Sequence, residues 1–149
     1  MPQSAQRLIL VVDDDPFIVH VFRRAFEGQE VFLLDIAMTI ELALQKIAVM
    51  FYDLIFLDMR IGPSLAGMAV LEELRRQEIK LASEGVPILN TTVIIMSGSI
   101  SLNDITQEAH GLDVFHFIDK PVPMTEEFVR RVVNRFGVPL LPRRRGPIQ

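Results

Sequence analysis

Short unbroken apolar runs alternate along this chain with stretches in which apolar residues recur every three or four positions, the signature of strands alternating with helices. Arg7-Leu8-Ile9-Leu10-Val11-Val12 is the first run; it ends in Asp13-Asp14-Asp15-Pro16, after which Phe17, Val21, Phe22 and Phe26 follow at helical spacing. Gly28 closes that helix, Val31-Phe32-Leu33-Leu34 makes a second strand, and Thr39 caps a helix to about Met50 with Leu42, Ala43 and Ile47 inward. The third run, Asp53-Leu54-Ile55-Phe56-Leu57-Asp58, sets apolar residues between two acids and suits a strand buried on both faces. Met68, Leu71, Leu74 and Arg75 continue a helix whose Glu72-Glu73-Leu74-Arg75-Arg76 stretch reads as solvated charge, and Ser83 to Asn90 is a Gly/Pro-containing connector. Thr91 to Met96 is the fourth strand and runs into Ser97-Gly98-Ser99; Ser101 with Asp104 looks like a capping box opening a helix to about His110. Val114 to Ile118 is the fifth strand, leading to Asp119-Lys120-Pro121, and a last helix from about Thr125 to Phe136 is stopped by Gly137 and Pro139.

Strand then helix, repeated with short connectors, predicts an α/β fold: a doubly wound five-stranded parallel sheet with helices on both faces. Right-handed crossovers then bring every strand's carboxyl end to one edge, where open α/β sheets build their sites. Four of those ends carry a functional group: Asp13 and Asp14, Asp58, Ser97, and Lys120. Asp15, immediately before Pro16, reads instead as a helix N-cap. Asp53 lies at the opposite edge and reads as a turn residue.

With 149 residues, half of them hydrophobic, the chain makes one domain with a sizeable core. The absence of cysteine excludes disulfides and thiolate metal sites and fits a reducing compartment. His20, His110 and His116 show no ligand spacing. No apolar stretch reaches transmembrane length and the first residues lack the order of a signal peptide, so a cytoplasmic protein without membrane contact is expected. A formal net charge of −4 leaves no basic footprint for direct nucleic-acid binding; Arg143-Arg144-Arg145 reads as a solvated tail or the start of a linker.

Carboxylates gathered in a cleft repel one another unless one is protonated or a cation sits among them. Oxygen-only ligands favour a hard ion, and Mg²⁺ suits a site that must also admit phosphoryl oxygens. With Lys120 it would neutralise an incoming phosphoryl group and permit attack by a carboxylate, and Ser97 can donate a hydrogen bond to a phosphoryl oxygen.

The set of motifs resembles the receiver domain of two-component response regulators (CheY-like) from Arg7 to about Gly137. Leu10-Val11-Val12-Asp13-Asp14 looks like that family's acidic metal-binding pair, Leu57-Asp58-Met59-Arg60 like its phosphoacceptor, Ser97 like its hydroxyl position, and Lys120-Pro121 like its signature end. The resemblance implies a flavodoxin-like three-layer sandwich. Asp58 would accept a phosphoryl group from a sensor histidine kinase or phosphotransfer protein, with Mg²⁺ held by Asp13, Asp14, Asp58 and the backbone carbonyl of Arg60. Ser97 and the aromatic Phe117 would act as the switch, shifting a protein-binding face made by the fourth helix, fifth strand and last helix toward an unidentified protein target. It implies a regulator that takes part in its own phosphotransfer and dephosphorylation rather than an enzyme, and leaves a homodimer open. Residues 1–6 are then an N-terminal tail, 7–138 the receiver domain and 139–149 a basic tail or linker start, in a stand-alone receiver or one cut from a longer protein.

The sequence departs from the family pattern in three places. The loop after Asp58, Ile61-Gly62-Pro63-Ser64-Leu65-Ala66-Gly67, is one residue longer and lacks the usual Met-Pro pair; the stretch from Gly111 to Phe117 is longer than common; and Ser97 replaces the more frequent Thr. Two other readings stand beside the switch. A haloacid dehalogenase-like phosphatase would use Asp13 as nucleophile and Asp15 as general acid, leaving Asp58 unused, and a receiver fold could serve as a docking module without phosphorylation.

Overall fold

The computed structural model describes residues 6–61, 66–87, 90–97, 114, 116–120, 125, 127–128 and 130–131; at 97, 116, 117 and 119 it describes the backbone. Its elements are β1 (Arg7–Val12), α1 (Pro16–Phe26), β2 (Phe32–Ala37), α2 (Ile40–Val49), β3 (Leu54–Asp58), α3 (Gly67–Ser83), β4 (Thr92–Ser97) and β5 (His116–Asp119). The strands form one five-stranded sheet in the order β2-β1-β3-β4-β5. Every neighbouring pair is parallel, so all carboxyl ends share an edge, as the strand–helix alternation predicts.

Side-chain alternation divides the core into two layers. Ile9, Val11, Phe56, Ile94 and Met96 point to the face covered by α1, where they meet Ile18, Phe22 and Phe26. Leu10, Val12, Ile55, Leu57, Val93 and Ile95 point to the other face, against Ala43 and Ile47 of α2 and Val70, Leu71 and Leu74 of α3. β3 is buried along its whole length. At its centre Phe56 is fully buried with its ring 4.6 Å, edge to face, from Phe22; truncating it to alanine would cost about 3–5 kcal/mol.

The ends of the elements follow local chemistry. Asp15 is the N-cap of α1, its side chain accepting from Phe17 N, with Pro16 in the first turn. Thr39 caps α2 by accepting from Leu42 N at 3.1 Å. Thr125 Oγ1 accepts from Phe128 N at 3.1 Å at the start of the last helical stretch. The expected helix between Ser101 and His110, and the terminal features at Gly137, Pro139 and Arg143 to Arg145, lie outside the described residues.

Several expectations need correction. β2 begins at Phe32 and continues past Leu34 to Ala37, carrying Asp35 in its interior. The charge is tolerated there because Lys46 Nζ donates to Asp35 Oδ1 at 2.8 Å and the Tyr52 hydroxyl to Oδ2 at 2.6 Å. Phe17, although in phase with the inward residues of α1, is 66% exposed at the first turn, and Leu42 of α2 is 38% exposed. Arg75 is no solvated charge: it is buried beside the equally buried Glu78, whose Oε2 also accepts from Thr91 N at 2.8 Å. Asp53 does more than turn the chain. Its Oδ2 accepts from Leu8 N at 2.8 Å and its Oδ1 lies 3.6 Å from Arg7 Nη1, tying the start of β1 to the start of β3.

Candidate functional site

The carboxyl edge of the sheet assembles the acids from two adjacent central strands. β1 and β3 are neighbours, with Val12 opposite Leu57, so Asp13 and Asp58 follow their strands side by side. Asp13 is fully buried and its N–H donates to Ala37 O at 3.1 Å, extending the β1–β2 ladder by one bond. Its Oδ1 accepts from Asp15 N at 2.9 Å, which holds the loop into α1 in a tight turn. Asp14 is exposed. One carboxylate oxygen from each of Asp13, Asp14 and Asp58 lies within 4.8 Å of the others.

Lys120, just beyond β5, supplies the countercharge. Its Nζ donates to Asp58 Oδ2 at 3.1 Å and stands 2.8 Å from Asp13 Oδ2. The second contact is a close ion pair with the fully buried carboxylate of Asp13. Asp58 Oδ1 accepts from Arg60 N at 3.1 Å. Burial pushes the Asp58 carboxyl above the ordinary aspartate range; the Arg60 amide and the Lys120 ammonium oppose this, while the charge of Asp13 adds to it. Burial alone would pull Lys120 down, but Asp13 and Asp58 outweigh it and hold the ammonium above its usual value. Two buried acids share this one ammonium with the exposed Asp14 beside them, so the cluster gathers more carboxylates than Lys120 alone balances. Three carboxylate oxygens at this spacing are a donor set that fits a hard divalent cation.

The remaining candidates divide. Ser97 ends β4, one residue beyond the Met96 that pairs with Asp58, so its backbone reaches the same edge. Phe117 lies within β5 opposite Ile95, short of that edge. The side chains of Ser97 and Phe117 lie outside the description. Arg60 is exposed, and its N–H donates to Asp58 Oδ1. Asp15 is turned away to cap α1, its Oδ1 accepting from Phe17 N at 2.9 Å. Gly67, read in the sequence only as a loop residue, proves to be the first residue of α3 and donates its N–H to Met59 O at 3.0 Å. The signal for it was available: a glycine immediately before the apolar periodicity of α3, at the end of a loop that starts from Asp58.

The family model for the response regulator receiver domain matches residues 9–132. The chain belongs to the response regulator receiver domain family. It is similar in fold to a CheY-like receiver domain protein from Methanospirillum hungatei JF-1, at 22% identity and a TM-score of 0.70 over 89% of this chain and 95% of that one. The receiver domain of Francisella response regulator 1452 is 26% identical, with a TM-score of 0.67 over 89% of this chain and 100% of its own. Response regulator TrrA from Thermotoga maritima, solved in complex with Mg²⁺-BeF, is 22% identical with a TM-score of 0.64, covering 87% of this chain and 98% of that one. No curated protein matched. Membership in the family makes this receiver domain a component of phosphorylation-controlled signalling, a regulator of the kind that interacts with histidine kinases and downstream effectors. No helix among the described residues is long and apolar enough to cross a membrane.

Proposed function

We propose that this receiver, residues 7–138, is a phosphorylation-controlled switch in which Asp58 is the phosphoacceptor. A carboxylate oxygen of Asp58 attacks phosphorus, the P–N bond of a phosphohistidine on a kinase or phosphotransfer protein breaks, and the imidazole nitrogen keeps the electron pair. The observation that carries this reading is the joint contact of Lys120 Nζ with Asp13 Oδ2 and Asp58 Oδ2, at 2.8 and 3.1 Å, inside a cluster of three acids. Lys120 lowers the repulsion between an anionic acid and an anionic donor. The Arg60 amide orients the Asp58 carboxylate through Oδ1, leaving Oδ2 on the lysine side.

Asp13, Asp14, Asp58 and the Arg60 carbonyl would hold Mg²⁺, the ion bound with BeF by the Thermotoga relative. When bound, it supplies the charge neutralisation the transferring phosphoryl group needs. Ser97 donates to the phosphoryl group from the end of β4, and Phe117 follows it as the switch aromatic toward a downstream protein target; the protein acts in the cytoplasm. The phosphatase reading is disfavoured because its general acid, Asp15, is committed to Phe17 N.

The test is intact mass after incubation with acetyl phosphate and Mg²⁺. Wild type gains one labile phosphoryl group and Asp58→Ala gains none. Free phosphate released without mass gain, in a manner dependent on Asp13, would restore the phosphatase. Silence with every small-molecule and protein donor would leave the docking module.

A further inference from the structure

α3 begins directly against the backbone of the proposed phosphoacceptor. The Gly67 N–H donates to Met59 O at 3.0 Å, closing the base of the segment that leaves Asp58 and returns to the helix. A Cβ built on Gly67 would stand 2.3 Å from the Asp58 carbonyl oxygen and 2.6 Å from Met59 Cα. Both are backbone atoms, so no rotamer change relieves the overlap. The other described glycines serve a different need. Gly28 and Gly85 have φ of 79° and 81° with nothing within 4 Å of an added Cβ, so they are required for conformation, whereas Gly67 is required for space.

Both walls of this contact are tied into the core, but beyond Asp58 the strand side is held by the weaker bond. Asp58 is paired with Met96 of β4, and Met59 N reaches Met96 O at 3.4 Å. On the other side α3 is anchored by Val70, Leu71 and Leu74, all buried in the core. A methyl at position 67 must therefore be accommodated by the Asp58–Arg60 segment, the one that turns the Arg60 N–H onto Asp58 Oδ1. We propose that Gly67 is a positioning residue for Asp58: the missing side chain lets the first turn of α3 rest on the Asp58–Met59 backbone and so aims the carboxylate at Asp13 and Lys120. This deepens, and rests on, the phosphoacceptor reading of Asp58.

The experiment compares Gly67→Ala with Gly85→Ala, which strains the backbone at the far end of α3 and serves as a destabilised reference. Mg²⁺ affinity is read from the concentration dependence of the melting temperature, and phosphoryl acceptance from the initial rate of mass gain with acetyl phosphate. Gly67→Ala is expected to lose about tenfold or more in both, as for residues that orient a metal ligand, while Gly85→Ala stays close to wild type in both despite melting earlier. Equal affinities and rates in Gly67→Ala and wild type, or equal losses in the two variants, would overturn the proposal. Should Gly67→Ala not fold, amide exchange on wild type decides: Mg²⁺ must slow exchange at the Gly67 N–H more than at the Gly85 N–H, and an equal response would sink the idea. Absence of mass gain in wild type would instead overturn the phosphoacceptor reading, with the Mg²⁺ and exchange measurements still judging Gly67.

Discussion

Lys120 Nζ lies 3.1 Å from Asp58 Oδ2 across 62 residues of sequence, and the same ammonium lies 2.8 Å from Asp13 Oδ2. One cation therefore offsets two buried acids. Removing it by Lys120→Ala leaves both buried carboxylates without that charge, and the apo protein should lose about 2–3 kcal/mol of stability. Added Mg²⁺ should then raise the melting temperature more in the variant than in wild type, because the ion takes over the missing countercharge. Urea unfolding with and without Mg²⁺ checks this; a variant as stable as wild type in chelator would show that Lys120 balances no buried charge.

The three consecutive acids after β1 should separate by function. Asp15→Ala removes the cap on α1 and should cost about 1 kcal/mol while leaving the Mg²⁺-induced rise in melting temperature intact. Asp14→Ala sits on an exposed residue, so it should cost little stability but weaken the Mg²⁺ response. A response unchanged in Asp14→Ala, or abolished in Asp15→Ala, would reverse their assigned roles.

Tyr52, the chain's one tyrosine, reports on a second charged cluster. Burial and the neighbouring Asp35 carboxylate both push its hydroxyl well above the usual tyrosine value. Asp35 moves oppositely: burial alone would raise it, but bonds from Lys46, Tyr52 and the Ile36 amide hold it below the ordinary range. The linkage is opposite at the two ends of the pH scale. The Tyr52 contribution is fully present below about pH 10 and is lost as pH rises through the raised value; the Asp35 contribution is present above about pH 4 and is lost as pH falls through the lowered one. Ultraviolet absorbance of the phenolate should therefore stay absent in the native protein past pH 10 and appear near pH 10 in urea. Asp35→Asn should shift the native titration downward, though burial keeps it above the free value. Native ionisation at the ordinary pH would contradict the Tyr52–Asp35 bond.

The sheet and the placement of its edge residues were legible because four of the five apolar runs give way to polar residues, at Asp13, Asp58, Ser97 and Asp119-Lys120. Period and burial there point the same way. What escaped reading depends on partners remote in sequence. Asp35 hides inside β2 because Lys46 and Tyr52, on other elements, satisfy it. Asp53 looks like a turn residue until Leu8 N is found on it. Gly67 reveals its need only when the backbone of Asp58 is placed against it. The two Arg–Glu pairs of α3 are the sharpest case, since identical spacing gives no hint of which faces water.

Those pairs make the last prediction. Arg76 and Glu73 are joined at i,i+3 on the solvent side, whereas Arg75 and Glu78, at the same spacing, are both buried, with side chains 8% exposed. Solvent and salt screen the first pair, so Glu73→Ala should leave the unfolding midpoint unchanged within error. Glu78→Ala removes the carboxylate opposite a buried guanidinium and also the acceptor of Thr91 N, and should cost about 3–5 kcal/mol. The double variant Arg75→Met with Glu78→Leu should recover much of that loss, because matched apolar side chains avoid burying an uncompensated charge, while the Thr91 amide keeps the recovery incomplete. Chemical denaturation of wild type, both single variants and the double variant checks the series. Equal costs for Glu73→Ala and Glu78→Ala would mean that the inner pair is as wet as the outer one.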